Sequence, residues 1–213
     1  MSPRVLIPAA LAALGLSLPA VRPAPDEGPL AGARSGTYRI DAQHSTVLFR
    51  IEHMEVANVY GRFNRVEGEL TLDAEDPARS RIVLEVDAGS VDTNDADRDG
   101  HVRSPDFFAV EEHPTIAFET TDARLAGDGL VLEGELDFRG HREPVEVDVD
   151  VTGAGPSLFG DFRVGFEATF SISRAEFGST AYGTPVQPPG SDEPIVPLSD
   201  RVDLIVAVEA ILR

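Results

Sequence analysis

The stretch from Leu130 to Val151, LVLEGELDFRGHREPVEVDVDV, decides the fold class. Leu130, Leu132, Gly134, Leu136 and Phe138 fall on one parity, and Glu133, Glu135, Asp137 and Arg139 on the other. A turn at Gly140-His141 reverses the chain, and Val145, Val147, Val149 and Val151 return against Glu146, Asp148 and Asp150. Successive side chains of a strand point to opposite faces, so this is a pair of strands with one dry and one wet face. Such alternation belongs to an antiparallel sheet, because parallel strands are covered on both faces and read as continuous apolar runs.

The same period spreads in both directions. Downstream, Phe162, Val164, Phe166, Ala168, Phe170 and Ile172 form one inward row, and Val202, Leu204, Val206 and Val208 form the last. Ile205, Ala207 and Ile211 give that final strand a second apolar face, suited to a homodimer or to the N-terminal segment. Upstream, Val47, Phe49 and Ile51 share one face, and by parity Ser45 and His53 point inward with them. Between Tyr60 and Leu72 the phase slips: Gly61 and Phe63 are odd, whereas Val66, Gly68, Leu70 and Leu72 are even, which predicts a bulge near Asn64 and Arg65. Ile82, Leu84, Val86 and Ala88 add a row, and Ile116 and Phe118 begin another. The count is about eight strands, the number that closes into a barrel just wide enough to be filled or to hold one ligand. From Phe162 to Ile172 a strand rises roughly 33 Å, so the barrel is elongated. Gly68, Ala88, Gly134 and Ala168 on inward rows are expected to leave room in it.

One segment interrupts the strands. Ser90 to Phe118, SVDTNDADRDGHVRSPDFFAVEEHPTIAF, reads as a strand end, a short helix, an aromatic plug and a new strand. Asn94 is the expected helix cap, Asp95 and Asp97 suit the positive N-terminal turn, and Asp99 and Arg103 are spaced to pair. Pro105 ends the helix. Phe107 and Phe108, ahead of Glu111, Glu112 and the turn at His113-Pro114, are not expected to face water together, so the segment is read as a lid over the open end of the barrel. The loop from Glu176 to Ser199, with Phe177, Tyr182 and a proline-rich run, is long enough to be a second cover.

Ser90, Asp92, Thr93, Arg98, Asp99, His101, Ser104, Phe107, Phe108, His113, Pro114, Ile116 and Phe118 together resemble the signature of the YceI-like family. Tyr38, Ile40, Asp41, His44, Ser45, Phe49, His53, Gly61 and Phe63 extend the resemblance, which covers roughly Thr37 to Arg213. It implies a bacterial, periplasmic, lipocalin-like protein that binds polyisoprenoids; a transient membrane contact for loading the lipid is a further expectation. The expected fold is all-β: an elongated eight-stranded antiparallel lipocalin-like barrel with a short helical lid. The expected ligand-binding residues are Val47, Phe49, Ile51, His53, Phe63, Arg98, Phe107, Phe108, Phe118, Phe138, Phe162 and Phe166, with Arg98 carried over from the family and suited to a phosphate or carboxylate.

Composition narrows the partners. The chain has no cysteine, which removes disulfides, thiol nucleophiles and thiolate metal sites. A net charge of −19 without one lysine argues against nucleic acid and against anionic lipid surfaces. Arg4 followed by the apolar run Val5 to Val21, broken by Pro8 and Pro19, is a secretory signal rather than a membrane span. Small residues at Ala31-Gly32-Ala33 put the cut after Ala33, with Ala20 or Ala24 as poorer sites and an uncleaved anchor as the alternative. Residues 1–33 are then signal, 34–36 linker and 37–213 the barrel, in the periplasm or secreted.

The histidines are scattered: His44 and His53 lie on opposite strand faces, and His101, His113 and His141 fall in three loops. Asp95, Asp97, Asp99 and Gly100 imitate the core of a calcium loop, but position twelve is Asp106 rather than glutamate. No metal, cofactor or catalytic constellation is expected. The expected function is to hold a long isoprenoid-like lipid, of polyprenyl or quinone type, in the lumen. Two rivals are an enzyme acting on the lipid headgroup, for which Ser45 with His53 is the only polar hint, and a closed structural module.

Overall fold

The computed structural model describes residues 29–127 and 129–213. Its strands are β1 Gly36–Ile40, β2 Thr46–His53, β3 Ala57–Phe63, β4 Val66–Leu72, β5 Arg81–Asp87 and β6 Val91–Asp92, followed by the helix α1 Ala96–Arg103. Then come β7 Thr115–Ala126, β8 Gly129–Phe138, β9 His141–Pro156, β10 Phe162–Ser173 and β11 Leu198–Leu212. All pairings are antiparallel, and the ring β1-β4-β5-β7-β8-β9-β10-β11 closes where β1 returns to β11. The hairpin that decides the fold pairs Phe138 with His141 and Leu130 with Val149, so Leu130, Leu132, Leu136 and Phe138 share the inner face with Val145, Val147 and Val149. Closure leaves no free sheet edge in the ring, which is how an all-strand chain of this size keeps from pairing with its neighbours.

β11 is long enough to serve two partners. Ala210 to Leu212 pair with β1, and Val202 to Ala207 pair with β2. β3 pairs with β2 and with the two-residue β6, whereas β4 pairs with β1 and β5. The phase slip at Asn64-Arg65 is therefore a corner between two ladders, not the expected bulge. Register shifts fall instead between Thr120 and Asp122, between Gly165 and Phe166, and between Leu198 and Val202. On the outer wall Ile205 faces Leu48, and both are about two-fifths exposed.

The two ends of the barrel differ. At the base, Tyr38 is fully buried, its hydroxyl donating to the Arg34 carbonyl at 2.6 Å. Ile40, Phe162, Val164 and Ala210 pack in the same core, and Leu30, 7% exposed, joins them. Leu30 and Ala33 thus pack with the base, upstream of the boundary expected at Thr37. The expected signal segment up to residue 28 lies outside the described residues. At the other end, α1, the segment after it and the loop between β10 and β11 gather over the opening.

The lid is built differently from its expected wiring. Asp95, not Asn94, caps α1, accepting from the Arg98 amide at 2.9 Å. Asn94 takes a left-handed conformation with φ 65° and donates its amide to Asp92 at 2.9 Å. Asp99 turns inward and accepts from the Thr93 amide and hydroxyl at 2.7 and 2.6 Å, while Arg103 donates to the carbonyls of Gly89 and Val91. The expected Asp99–Arg103 pair is absent because the buried Asp99 carboxylate is satisfied by Thr93 while the half-buried Arg103 is committed to the Gly89 and Val91 carbonyls.

A candidate ligand-binding cavity

A cavity of about 460 Å³ runs from the lid end down the barrel, within the range of small-molecule pockets. Its wall is almost entirely carbon: Val47, Phe49 and Ile51 of β2, Phe63 of β3, Phe118 of β7, Phe138 of β8 and Phe166 of β10 all line it. Parity supplied these positions, and the structure brings them together. Phe162 is on the right face but at the wrong height. It lies in the base core, and Arg34 covers its ring with the guanidinium 4.2 Å from the centroid. Parity tells which face a side chain takes but not how deep the cavity reaches.

The inward glycines do not supply the space expected of them. A Cβ on Gly61 would lie 2.2 Å from the Phe49 ring, and one on Gly134 would lie 2.5 Å from the Phe118 ring. Each is a seat over which an aromatic ring folds. A Cβ on Gly68 would strike the Val83 carbonyl at 2.2 Å, and Ala88 is fully buried away from the cavity. Of the four small residues, Ala168 alone lines the cavity.

Phe107 and Phe108, adjacent in sequence, separate in space. Phe108 joins the aromatic cluster of the wall, 5.6 Å from Phe63, 5.3 Å from Phe138 and 6.4 Å from Phe49. Phe107 stacks on Tyr182 at 6.0 Å, and the His101 ring stands edge-on to both. The two covers therefore meet at one opening rather than standing at opposite ends. Phe177 is not a cover, being 1% exposed in a cluster with Leu136 and Phe138.

Arginines fasten these covers through backbone carbonyls. Arg139, at the tip of the β8–β9 turn, donates to the carbonyls of Pro105 and Phe107. Arg174, 5% exposed, donates to the carbonyls of Ser199, Ser179 and Leu198 at 2.8, 2.6 and 3.1 Å, and burial pulls its pKa down. Arg98 lines the cavity but commits Nε and Nη2 to the hydroxyl and carbonyl of Thr93 at 2.9 and 2.6 Å. It pins the entry to α1 through Thr93. Arg139 and Arg174 carry no sequence signal for these bonds, whereas the family resemblance singles out Arg98 without naming Thr93 as its partner.

Polar wall groups collect near the opening, where Thr93, Arg98, His101, Arg174 and Ser179 lie. His53 ends the β2 row there, lining the cavity yet exposed. Deeper down, the Thr120 hydroxyl is bonded to the backbone of Ile82. Ser45 sits beyond the other end of β2, exchanging hydrogen bonds with the Glu209 backbone. The Ser45 and His53 pair offered for a headgroup enzyme is not assembled.

Among the described residues one group has metal-ligand spacing, Asp41, His44 and Glu209 near the base. Arg163 occupies it, donating to Asp41 at 2.7 Å and to Glu209, with Asp161 at 2.9 Å on its other edge. Burial pushes the Asp41 carboxyl up, but hydrogen bonds from His44, Gln43 and Arg163 outweigh it and hold the pKa at about 2. The guanidinium is the cation of this site, and the cluster is a clasp for the β1–β2 turn. Asp95 and Asp99 of the calcium-like run serve as helix cap and as partner of Thr93.

Residues 38–210 match the YceI-like domain family. A UPF0312 protein of Pseudomonas aeruginosa is 34% identical over 181 residues, 84% of this chain and 88% of the relative. Among solved structures, BcnA of Burkholderia cenocepacia superposes with a TM-score of 0.67 at 21% identity, over 80% of this chain and 98% of its own. A polyisoprenoid binding domain from Saccharophagus degradans, implicated in plant cell wall breakdown, gives 0.62 at 15% identity, over 84% of this chain and 100% of its own. These likenesses establish the barrel fold.

Proposed function

The chain belongs to the YceI-like family, and from that premise we propose that it takes up one long-chain, isoprenoid-like lipid in its barrel and carries or sequesters it in the periplasm or outside the cell. The observation that carries this reading is the cavity itself, lined by carbon along most of its length, with Thr93, Arg98, His101, Arg174 and Ser179 where the covers meet and Ser80, Arg81 and Thr120 as the polar exceptions deeper down. The ligand of the Saccharophagus domain is of the same chemical class. Burial of the chain contributes about 0.8 kcal/mol per methylene before the cost of ordering it. The polar groups at the opening suit a headgroup left near water, while the rest of the molecule lies among Phe49, Phe118 and Phe166.

Organic extraction of protein purified from its native host, followed by mass spectrometry, tests the proposal. A single long-chain lipid near one equivalent is expected. Protein that arrives empty, and that takes up no long-chain prenol when offered it, would reduce the barrel to a structural module.

A further inference from the structure

The rim of the cavity carries apolar side chains that the cavity does not cover. Met54 and Tyr182 line the opening and are still 45% and 55% exposed, while Val56 and Val186 beside them are 85% and 48% exposed. Backbone bonds tie these residues into one unit. The Met54 amide donates to the Pro197 carbonyl at 2.9 Å, the Leu198 amide to the Tyr182 carbonyl at 3.0 Å, and Val186 exchanges two bonds with Ile195. The Glu55 carboxylate accepts from the Val196 amide at 2.9 Å. Met54, Glu55 and Tyr182 are left-handed, with φ of 55°, 57° and 59°, a conformation that hairpin turns ordinarily give to Asn or Gly. Strain held in place by so many bonds marks a site whose shape matters, and here that shape presents Met54 and Val56 to the outside.

We propose that this rim docks on a lipid bilayer with zwitterionic headgroups, and that lipid enters and leaves the cavity through the contact. The inference rests on the carrier reading above. Continuity is the first argument: Met54 and Tyr182 belong to both wall and rim, so a chain drawn from a bilayer into the barrel need not cross water. Charge is the second. Glu52, Glu55 and Asp106 stand around the opening of a chain with net charge −19, which repels anionic surfaces and leaves zwitterionic ones. The third is chemical type, since a tyrosine beside aliphatic residues matches the boundary between headgroups and acyl chains. A second exposed apolar pair, Leu158 and Phe159 at 102% and 82%, lies on the turn before Arg163 at the opposite pole, away from the cavity, and serves as the control.

The test uses the mature chain and dioleoylphosphatidylcholine vesicles, with and without a fluorescent long-chain prenol. Val56→Asp with Val186→Asp, neither of which lines the cavity, is expected to lower co-flotation with probe-free vesicles about ten-fold. It should lower the rate of prenol transfer from vesicles to protein to a similar degree. The Leu158→Ser, Phe159→Ser control should match the unaltered chain, whose transfer rate should rise with vesicle concentration. Flotation unchanged by the rim substitutions, or a transfer rate independent of vesicle concentration, would overturn the docking proposal. Delivery of the same prenol from ethanol separates the two readings: flotation without uptake would refute the carrier and leave docking standing.

Discussion

The base and the mouth of this barrel are made from the same strands and held by opposite chemistry. At the base, Arg163 meets carboxylates, Asp41, Asp161 and Glu209, and the side chains behind it are closed around Tyr38. At the mouth, Arg98, Arg103, Arg139 and Arg174 donate to backbone carbonyls. Left-handed backbone at the base falls on glycines such as Gly32, Gly127 and Gly160. The non-glycine left-handed residues among those described are Met54, Glu55, Asn94, Ala109, Arg139 and Tyr182, in the lid, the long loop or the turns against them. Opening the base separates Arg163 from three carboxylates of opposite charge, whereas opening the mouth gives up hydrogen bonds from guanidiniums to neutral carbonyls. The base is built to stay shut and the mouth to move.

Substitutions can break or sharpen this contrast. The largest effect is expected at the base, where Tyr38→Ala removes the most enclosed ring and should cost about 3 to 5 kcal/mol in a urea melt, with prenol affinity of the folded protein unchanged. Next comes a matched pair on the inner wall. Gly134→Phe must displace the Phe118 ring and should cost about 1 to 3 kcal/mol. Ala168→Phe projects into open cavity and should abolish prenol binding with little change in the melt.

Acid should loosen the clasp at the base. The Asp41 carboxyl titrates in the folded protein at about 2, below its ordinary 3.8. Its contribution to stability is therefore complete above the ordinary value and is lost as pH falls towards 2. In Asp41→Asn that part of the acid dependence should disappear, measured as the difference between melts in the two pH regimes. The smallest stability effect belongs to the lid: Phe107→Ala loses a half-exposed stack on Tyr182, about 0.5 to 1.5 kcal/mol, yet should speed prenol release in stopped-flow more than any base variant.

Most of the wall was legible in the sequence because a period of two is a local property. Leu130 to Val151 needed only its own residues to declare a hairpin, and the rows from Val47 and Phe166 followed by parity. What failed required distance information. Phe162 obeys parity but sits below the cavity, and Gly134 looks like a void until the Phe118 ring of the neighbouring strand folds over it. The slip at Asn64-Arg65 reads the same whether it is a bulge or a corner, since the sequence does not say that β3 and β4 pair with different partners. Leu30 reads as signal-peptide flank by composition, and only the packing of the base shows that it is core. The partners of the arginine clamps left no trace, because they are carbonyls that every residue carries.

The central claim is that the barrel is an apolar channel, shut at Tyr38 and entered under Phe107 and Tyr182. Anomalous diffraction from crystals grown with a long-chain prenol brominated at its tail end tests it most directly. The account predicts a bromine peak deep in the cavity beyond Phe118 and Phe166, with the headgroup beside Arg98 and His101. A peak outside the barrel, or side chains collapsed across the space in an empty crystal, would contradict it.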